Sequence, residues 1–223
     1  GLASHQRAAD YTIARVRLGM VERVFDAGVL VWLTLLGGLQ SIDLFIMGLV
    51  RDDMLRQLLL LAAVTGLLAL LGLPFTLWRQ FRLEARFGFN RMTPALFAAD
   101  AAKGVLLALV LGAPLAAAVL WIMAAAGPYW WIWAWAVWAG FNLLVLLIFP
   151  TVIAPLFNKF TPLQDPELAS RIRALAERCG FSLNGLFVMD GSKRSAHGNA
   201  YFTGFCKAKR IVFFDTLLSR LNG

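Results

Sequence analysis

Residues 104–158 read GVLLALVLGAPLAAAVLWIMAAAGPYWWIWAWAVWAGFNLLVLLIFPTVIAPLFN and contain no Asp, Glu, Lys or Arg. A helix that crosses a membrane needs about 20 mainly apolar residues. This uncharged stretch is therefore long enough for two spans. The Gly127-Pro128 pair near its middle is typical of a turn. We predict two membrane helices here, over residues 104–126 and 129–153.

The whole chain is apolar for its length. Hydrophobic residues make up 60% of the 223 and charged residues 15%, whereas a soluble domain has about a quarter of its residues charged. Two further apolar stretches, 27–50 and 57–78, are long enough to span. The sequence predicts a mainly α, polytopic membrane region over 1–158, with about four spans and a cytosolic loop at 79–103.

The net charge of +8 is explained by orientation in the membrane. Of the 21 Lys and Arg residues, four precede residue 24, five lie between 79 and 103, and ten follow residue 158. With four spans, these 19 share one side, and only Arg51 and Arg56 lie opposite. Because basic residues concentrate in cytosolic loops, we place that side in the cytosol. The basic excess then needs no nucleic-acid partner.

Two features of the spans carry alternative interpretations. Asp43 is an intramembrane carboxylate, which is a functional candidate by default, but its position near the end of a span favours a water-exposed helix terminus. The start of the fourth span is crowded with aromatic rings. An aromatic belt at the bilayer interface is the simpler interpretation, and a lipid- or prenyl-binding wall is the alternative. These rings are Tyr129, Trp130, Trp131, Trp133, Trp135 and Trp138.

The composition changes after the fourth span, over residues 159–223. Asp165-Pro166-Glu167 is a typical helix start, and Gly180 is a typical stop. Strands are expected over 186–189, 200–205 and 210–214, followed by a helix that begins at Asp215. We expect the N-terminal part of a cytosol-facing α+β domain. The two cysteines do not form a disulfide framework.

The chain contains no self-evident active site. It has no HExxH, CxxC, GxSxG or glycine-rich phosphate loop, and its two histidines and two cysteines do not suggest a metal site. His197 lies in a polar loop with Ser192 and Ser195 nearby. A lone histidine in such a loop is more often solvated than catalytic, and no carboxylate orients the serines. We therefore predict no catalytic and no metal-binding residue within this chain.

Four stretches nevertheless resemble a known family: FGFNRMTP, LFAADAAKG, IAPLFNKFTPL and FVMDGSKRSAHGNAYFTGF followed by KAKRIVFFDTLL. They are similar to the integral-membrane zinc metalloendopeptidases of the CAAX prenyl protease 1 (sterile-24) family. The resemblance implies a seven-span helical barrel around a water-filled chamber, with zinc held by an HExxH helix and a later glutamate. That helix would follow residue 223. We therefore expect an internal fragment that is inactive alone and holds no zinc itself.

The resemblance also implies a substrate-binding strand. The run His197-Gly198-Asn199-Ala200-Tyr201 matches the family's edge-strand motif, which pairs with an extended substrate backbone. Asn199 fits the role of an amide that holds the peptide, while Ala200 and Tyr201 supply the edge and His197 is a neighbour of the site. The alternative is that Asn199 caps the turn and Tyr201 packs in the core.

The sequence departs from the family pattern at Cys206, where the family has glycine in a turn. A β-carbon in a left-handed conformation there would cost about 1 kcal/mol.

The leading hypothesis is thus part of a membrane-embedded zinc metalloendopeptidase that cleaves CAAX-like or other membrane-associated peptides. Its partners would be a peptide or protein substrate, prenylated in eukaryotic relatives, and the lipid bilayer. The Ala-, Leu- and Arg-rich composition suggests a bacterial inner membrane. The alternative is a non-catalytic membrane scaffold or a transporter-like module.

Overall fold

The computed structural model describes residues 2–181, 183–204 and 209–221. It confirms the predicted class, with long helices followed by a small mixed sheet. The chain forms two compact units, one of Gly1–Gly88 with Ala108–Trp135 and one of Phe89–Leu107 with Ala136–Gly223. The units are defined by contacts, whereas the predicted division at residue 158 rests on composition and stays a prediction.

The first helices are longer and more broken than the spans predicted from hydropathy. Helix α1 (Leu2–Thr34) is followed by α2 (Gly38–Met47), and the two are bent by 53°. Gly37 lies between them with a φ of 81°, a left-handed conformation that interrupts a helix and favours glycine. The predicted span over 27–50 is therefore not one continuous helix.

Helix α3 (Asp53–Trp78) continues as a π-helical segment, Arg79–Glu84, and α4 covers Pro94–Ala125. Much of the predicted 79–103 loop is therefore helical. That loop was inferred from its charges, and charged residues also occur at helix ends that project into water. The lipid boundaries of the spans stay predictions.

A 3₁₀ turn at Gly127–Tyr129 separates α4 from α5 (Trp130–Ile148), as the Gly127-Pro128 pair predicted. A π-helical segment, Phe149–Ile153, then leads into α6 (Ala154–Phe157). Among the described residues, three helical stretches are long and apolar enough to cross a membrane, or four if the bent α1–α2 pair is one span. This range includes the predicted four.

The sheet contains four described strands in the order β1-β2-β4-β3. They are β1 (Phe160–Pro162), β2 (Gly185–Met189), β3 (Ala200–Thr203) and β4 (Arg210–Phe214). Strands β2 and β4 are parallel, and the two outer strands pair antiparallel with their neighbours. Strand β1 was not predicted, and the predicted end of β3 at Phe205 lies outside the described residues.

Helix α7 (Pro166–Arg178) packs on one face of this sheet. Ala169 of α7, Leu186 of β2 and Ile211 of β4 form the buried core, with Ile172 packed against it. The helix ends at Arg178, and the predicted stop, Gly180, follows two residues later with a φ of 67°. A short helix α8 (Asp215–Leu221) follows β4 directly.

The Asp165 side chain caps α7 by accepting a hydrogen bond from the Leu168 N–H at 3.0 Å. Replacing Asp165 by alanine leaves that donor without its cap, and we expect a loss of about 1 kcal/mol in the free energy of unfolding. Denaturant unfolding of the purified protein measures this loss. Asp165→Asn, which keeps an acceptor oxygen, should stay close to the parent, and equal losses in both variants would contradict the capping role.

Candidate functional site

Strand β3 lies at one edge of the described sheet and pairs only with β4 among the described strands. The pairing is antiparallel, with Ala200 opposite Phe213 and Tyr201 opposite Val212. Just before the strand, the Phe214 N–H donates to the Asn199 carbonyl at 2.9 Å. Opposed residues in an antiparallel pair alternate between hydrogen-bonded and non-hydrogen-bonded. The hydrogen-bonded positions of this segment are therefore 199, 201 and 203.

The same alternation turns the backbone N–H and C=O groups of Ala200 and Phe202 away from β4. These groups form the outer edge of the sheet. Ala200 is exposed, and the Phe202 side chain is 68% exposed. An edge with outward-facing backbone groups is the feature that strand addition requires. Phe202 was absent from the predicted site, although its position two residues after Ala200 marks it as the second outward residue.

Asn199 stands exposed at the start of this edge. Its side-chain oxygen accepts a hydrogen bond from the Ala200 N–H at 2.9 Å, so half of the amide caps the first outward donor. Within the described part of the chain, the amide nitrogen of Asn199 makes no hydrogen bond. The side-chain oxygen thus has the local capping role, and the substrate-holding role of the amide nitrogen stays a prediction.

The Tyr201 side chain packs on one face of the sheet and does not lie along its outer edge. Its half-buried ring lies edge-on to Phe214, with 6.2 Å between the ring centroids. Its hydroxyl lies 4.0 Å from the Met189 sulfur. Burial raises the pKa of the Tyr201 phenol. Its side chain thus packs on one face of the sheet, while its backbone belongs to the β3–β4 ladder.

His197 lies in the exposed loop that leads into β3. Its imidazole stacks on the Phe89 ring, with 4.2 Å between centroids and 24° between planes. The Thr216 hydroxyl donates to its carbonyl at 2.8 Å. His197 therefore lies three residues before the start of β3, and its ring packs against an aromatic neighbour and not against the edge.

Arg194 connects this loop to two helices, a role that no sequence pattern predicted. Its guanidinium binds both carboxylate oxygens of Asp100 on α4, at 2.8 and 3.0 Å. It also donates to the Asn158 side chain at 2.7 Å and to the Phe157 carbonyl at 2.5 Å. The Arg194 and Asp100 side chains are only 21% and 15% exposed. Charge-assisted, bidentate bonds of this kind are the strong ones.

Backbone pairing and a second ion pair also hold the loop. The Arg91 N–H donates to the Arg194 carbonyl at 3.1 Å, and the Ala196 N–H donates to the Phe89 carbonyl at 3.0 Å. At the start of the loop, Asp190 pairs with Lys193. Burial raises the pKa of Asp190, but hydrogen bonds from Lys193 and the Lys159 N–H outweigh it, so the pKa lies below its usual value. The approach to β3 is thus fixed from both sides.

The serines of the loop have structural partners. The Ser192 N–H donates to the Asp215 carboxylate at 2.9 Å, and the Ser192 hydroxyl bonds to the same carboxylate. The Ser195 hydroxyl accepts from the backbone N–H of His197 at 3.2 Å. These contacts connect the loop to the start of α8 and do not form a nucleophile–base pair.

The described residues contain no group of three His, Cys, Asp or Glu side chains that could hold a metal ion. Zinc sites in peptidases need three protein ligands. The side chains that the structure describes therefore do not fit a zinc centre. Cys179 is an exposed free thiol, and Cys206 lies outside the described residues.

Asp43 has a partner within its own compact unit, Gly1–Gly88 with Ala108–Trp135. Its carboxylate lies 3.5 Å from the Arg56 Nε, which makes an ion pair but no hydrogen bond. Asp53 is a second, more distant carboxylate at 3.9 Å. The Asp43 side chain is 35% exposed. This pairing between α2 and α3 agrees with a partly exposed helix terminus better than with an isolated functional carboxylate.

Two family models together cover nearly the whole chain. Residues 2–159 match the model described as CAAX prenyl protease N-terminal, five membrane helices, and residues 162–223 match Peptidase family M48. The first match covers most of the chain and shows that it comes from an integral membrane protein.

Curated relatives and a solved structure agree with these models. The chain is 45% identical over 170 residues to the CAAX prenyl protease 1 homolog of Arabidopsis thaliana, covering 76% of this chain and 40% of the relative. It is 43% identical over 166 residues to CAAX prenyl protease 1 of Saccharomyces cerevisiae, covering 74% and 36%. The crystal structure of S. mikatae Ste24p matches with a TM-score of 0.87 and 34% identity, covering 94% and 50%.

The chain thus spans half or less of the length of these relatives. All three come from eukaryotes, and they give no support to the bacterial membrane suggested by composition. The membrane helices, the edge-strand sequence and both family models agree on one assignment. The chain belongs to the CAAX prenyl protease 1 (Ste24) family of M48 peptidases.

Proposed function

We propose that this chain forms the substrate-docking part of a membrane-embedded zinc metalloendopeptidase that cleaves CAAX-like or other membrane-associated peptides. The observation that carries the proposal is the outer edge of β3, where Ala200 and Phe202 turn their backbone groups away from β4. Because the Ala200 N–H already donates to the Asn199 side chain, an extended peptide would pair with the Ala200 carbonyl and both backbone groups of Phe202 as an added strand. Asn199 would donate its amide N–H to a peptide carbonyl at the start of the edge.

The assignment to the M48 family supports a hydrolytic role for the whole protein. These 223 residues contain no HExxH, so the zinc ligands and the general base would come from another part of the protein. The residues of this chain would hold the peptide extended and in register, and the chain alone would not hydrolyse it.

The names of the relatives point to prenylated protein substrates. We infer that the protein acts on polypeptides that reach it at a membrane. The distribution of basic residues favours a cytosolic position for 159–223. A peptide anchored in that leaflet by an apolar group could reach β3 without crossing the bilayer.

The direct test is cleavage of a prenylated CAAX peptide by the full-length protein in detergent or liposomes. Chelator-sensitive hydrolysis that zinc restores would support the proposal. A zinc-loaded, folded protein that cleaves neither prenylated nor unprenylated peptides would refute it and favour the non-catalytic scaffold or transporter-like alternative.

The role of the edge is tested by Phe202→Pro. Proline removes the outward N–H of residue 202 and leaves the β3–β4 ladder bonds at 201 and 203 intact, a position where edge strands tolerate proline. We expect kcat/KM to fall by about 5- to 150-fold, since one lost peptide hydrogen bond costs about 1–3 kcal/mol. Phe202→Ala is the matched control, because it removes the ring and keeps the N–H. Equal kcat/KM values for the two variants would contradict pairing at this edge.

A further inference from the structure

A cavity of about 260 Å³ lies against the sheet face that α7 does not cover. One wall is the sheet itself, with Tyr201 of β3, Val212 of β4 and Phe187 of β2 side by side. The opposite wall comes from the π-helical segment Phe149–Ile153 and the start of α6, including Ala154. This volume is many times what one water molecule needs.

The chemistry of the cavity is mainly apolar. Its walls consist largely of aromatic, proline and aliphatic side chains, and Val212 and Ala154 are among the most buried residues of the chain. The polar side chains of its lining are Thr151 on the helical wall and, opposite each other on the sheet, Thr203 and Arg210. The Arg210 guanidinium lies 5.4 Å from the centre of the Phe187 ring. Such a space suits an aromatic or branched aliphatic group better than a charged one.

The cavity reaches the docking edge. Tyr201 and Thr203, two of the four β3 residues, contribute to its walls, whereas Ala200 and Phe202 do not. Side chains directly opposite each other on neighbouring strands lie on the same face of a sheet. In a peptide paired with β3, a residue opposite Tyr201 would therefore direct its side chain to the cavity face. Its two neighbours would direct theirs to the other face, where Phe202 packs edge-on to Phe181 at 5.2 Å.

We propose that this cavity is the subsite for a large apolar side chain of the peptide residue opposite Tyr201. The inference rests on the proposed function, because it needs a peptide strand on β3. The selection of peptide side chains would then depend on the helical wall of the cavity at Ala154 as well as on β3. Large apolar residues would be favoured at every second position of the bound peptide, and the positions between them would be selected by the surface around Phe202.

The test uses the full-length protein and a set of peptides in which one phenylalanine replaces alanine at successive positions of a single cleavable sequence. The parent protein should prefer phenylalanine over alanine at alternate positions. In Ala154→Leu, whose added carbons enter the cavity, the ratio of kcat/KM for phenylalanine over alanine should fall about tenfold or more at those positions. Val152→Leu is the matched control, since Val152 is 54% exposed and does not line the cavity.

Thr203→Leu fills the same cavity from the strand. If Ala154→Leu does not fold, the same kcat/KM ratios are measured with Thr203→Leu instead. Variants that fold but keep the parent preference, or that lower cleavage of all peptides equally, would overturn the subsite. If Phe202→Pro and Phe202→Ala also cleave equally well, strand pairing itself fails and the proposed function with it. A loss of preference confined to alternate positions, with Phe202→Pro impaired, supports both.

Discussion

Replacement of Arg194 by methionine is expected to lower the melting temperature of the protein by about 5–10 °C. Methionine keeps most of the side-chain volume but removes the charge, so Asp100, Asn158 and the Phe157 carbonyl all lose their partner. The Arg194–Asp100 pair is only partly exposed, so the cost should lie between that of a surface pair and a buried one, about 2–3 kcal/mol.

A double-mutant cycle separates the ion pair from other effects of the substitution. Asp100→Asn alone should also destabilise, but the double variant should lose less than the sum of the two single losses, because the uncompensated charge is gone. Arg171→Met is the control: Arg171 and Glu167 form an ion pair whose side chains are each 75% exposed, and its loss should shift the melting temperature by about 1 °C or less. Additive losses at Arg194 and Asp100 would contradict direct coupling.

The second large effect is expected at Asn199, on activity. Asn199→Asp keeps an oxygen that can accept from the Ala200 N–H and replaces the amide donor with a charged acceptor. If the amide holds a peptide carbonyl, kcat/KM for peptide cleavage should fall at least tenfold, and about a hundredfold if the carbonyl is left unpaired. The melting temperature should stay near that of the parent.

Asn199→Ala completes the comparison, because it removes both the acceptor and the donor. It should lose activity to a similar degree and should also lose about 1 kcal/mol of stability with the cap on Ala200. The two interpretations of Asn199 then give opposite results for the aspartate variant. Full activity in Asn199→Asp would show that the side chain serves only as a local cap and would remove it from the substrate site.

The parts of the fold that the sequence predicted depend on strong local signals. The uncharged run of residues 104–158 predicted two helices and the turn at Gly127, because buried charge is costly in lipid over any such length. Helix α7 was predicted from its two ends. Its C-terminus is closed by two bonds, from the Phe181 N–H to the Ala176 carbonyl at 2.8 Å and from the Gly180 N–H to the Glu177 carbonyl at 2.9 Å. This is the pattern that a terminal glycine predicts.

The missed parts depend on information that local patterns do not carry. The bend at Gly37 needs a left-handed φ, and glycine permits this conformation without requiring it. Strand β1 has only three residues and ends in Pro162, which is too short for an alternating pattern to appear. The helical continuation into Arg79–Glu84 was hidden because its charges resembled those of a loop.

The candidate site also has a part that was predicted and a part that was missed. Its strand was predicted because the segment from His197 to Tyr201 resembles the family motif. The outward direction of Ala200 and Phe202 came only from the register with β4. The contact between Arg194 and Asp100 joins residues that are 94 positions apart. A single sequence, taken by itself, gives no indication of such a pairing.

The strand order has a consequence for how the protein is made. Strand β4 lies between β2 and β3 in space, although it follows β3 in the chain. During synthesis at about 5–20 residues per second, residues 200–203 have no place in the sheet until residue 214 has left the ribosome. Strand β3 therefore joins last, and β2 is until then an open strand edge that other chains could pair with. A ribosome stalled between these points would hold a nascent chain whose β2 edge is open to such pairing.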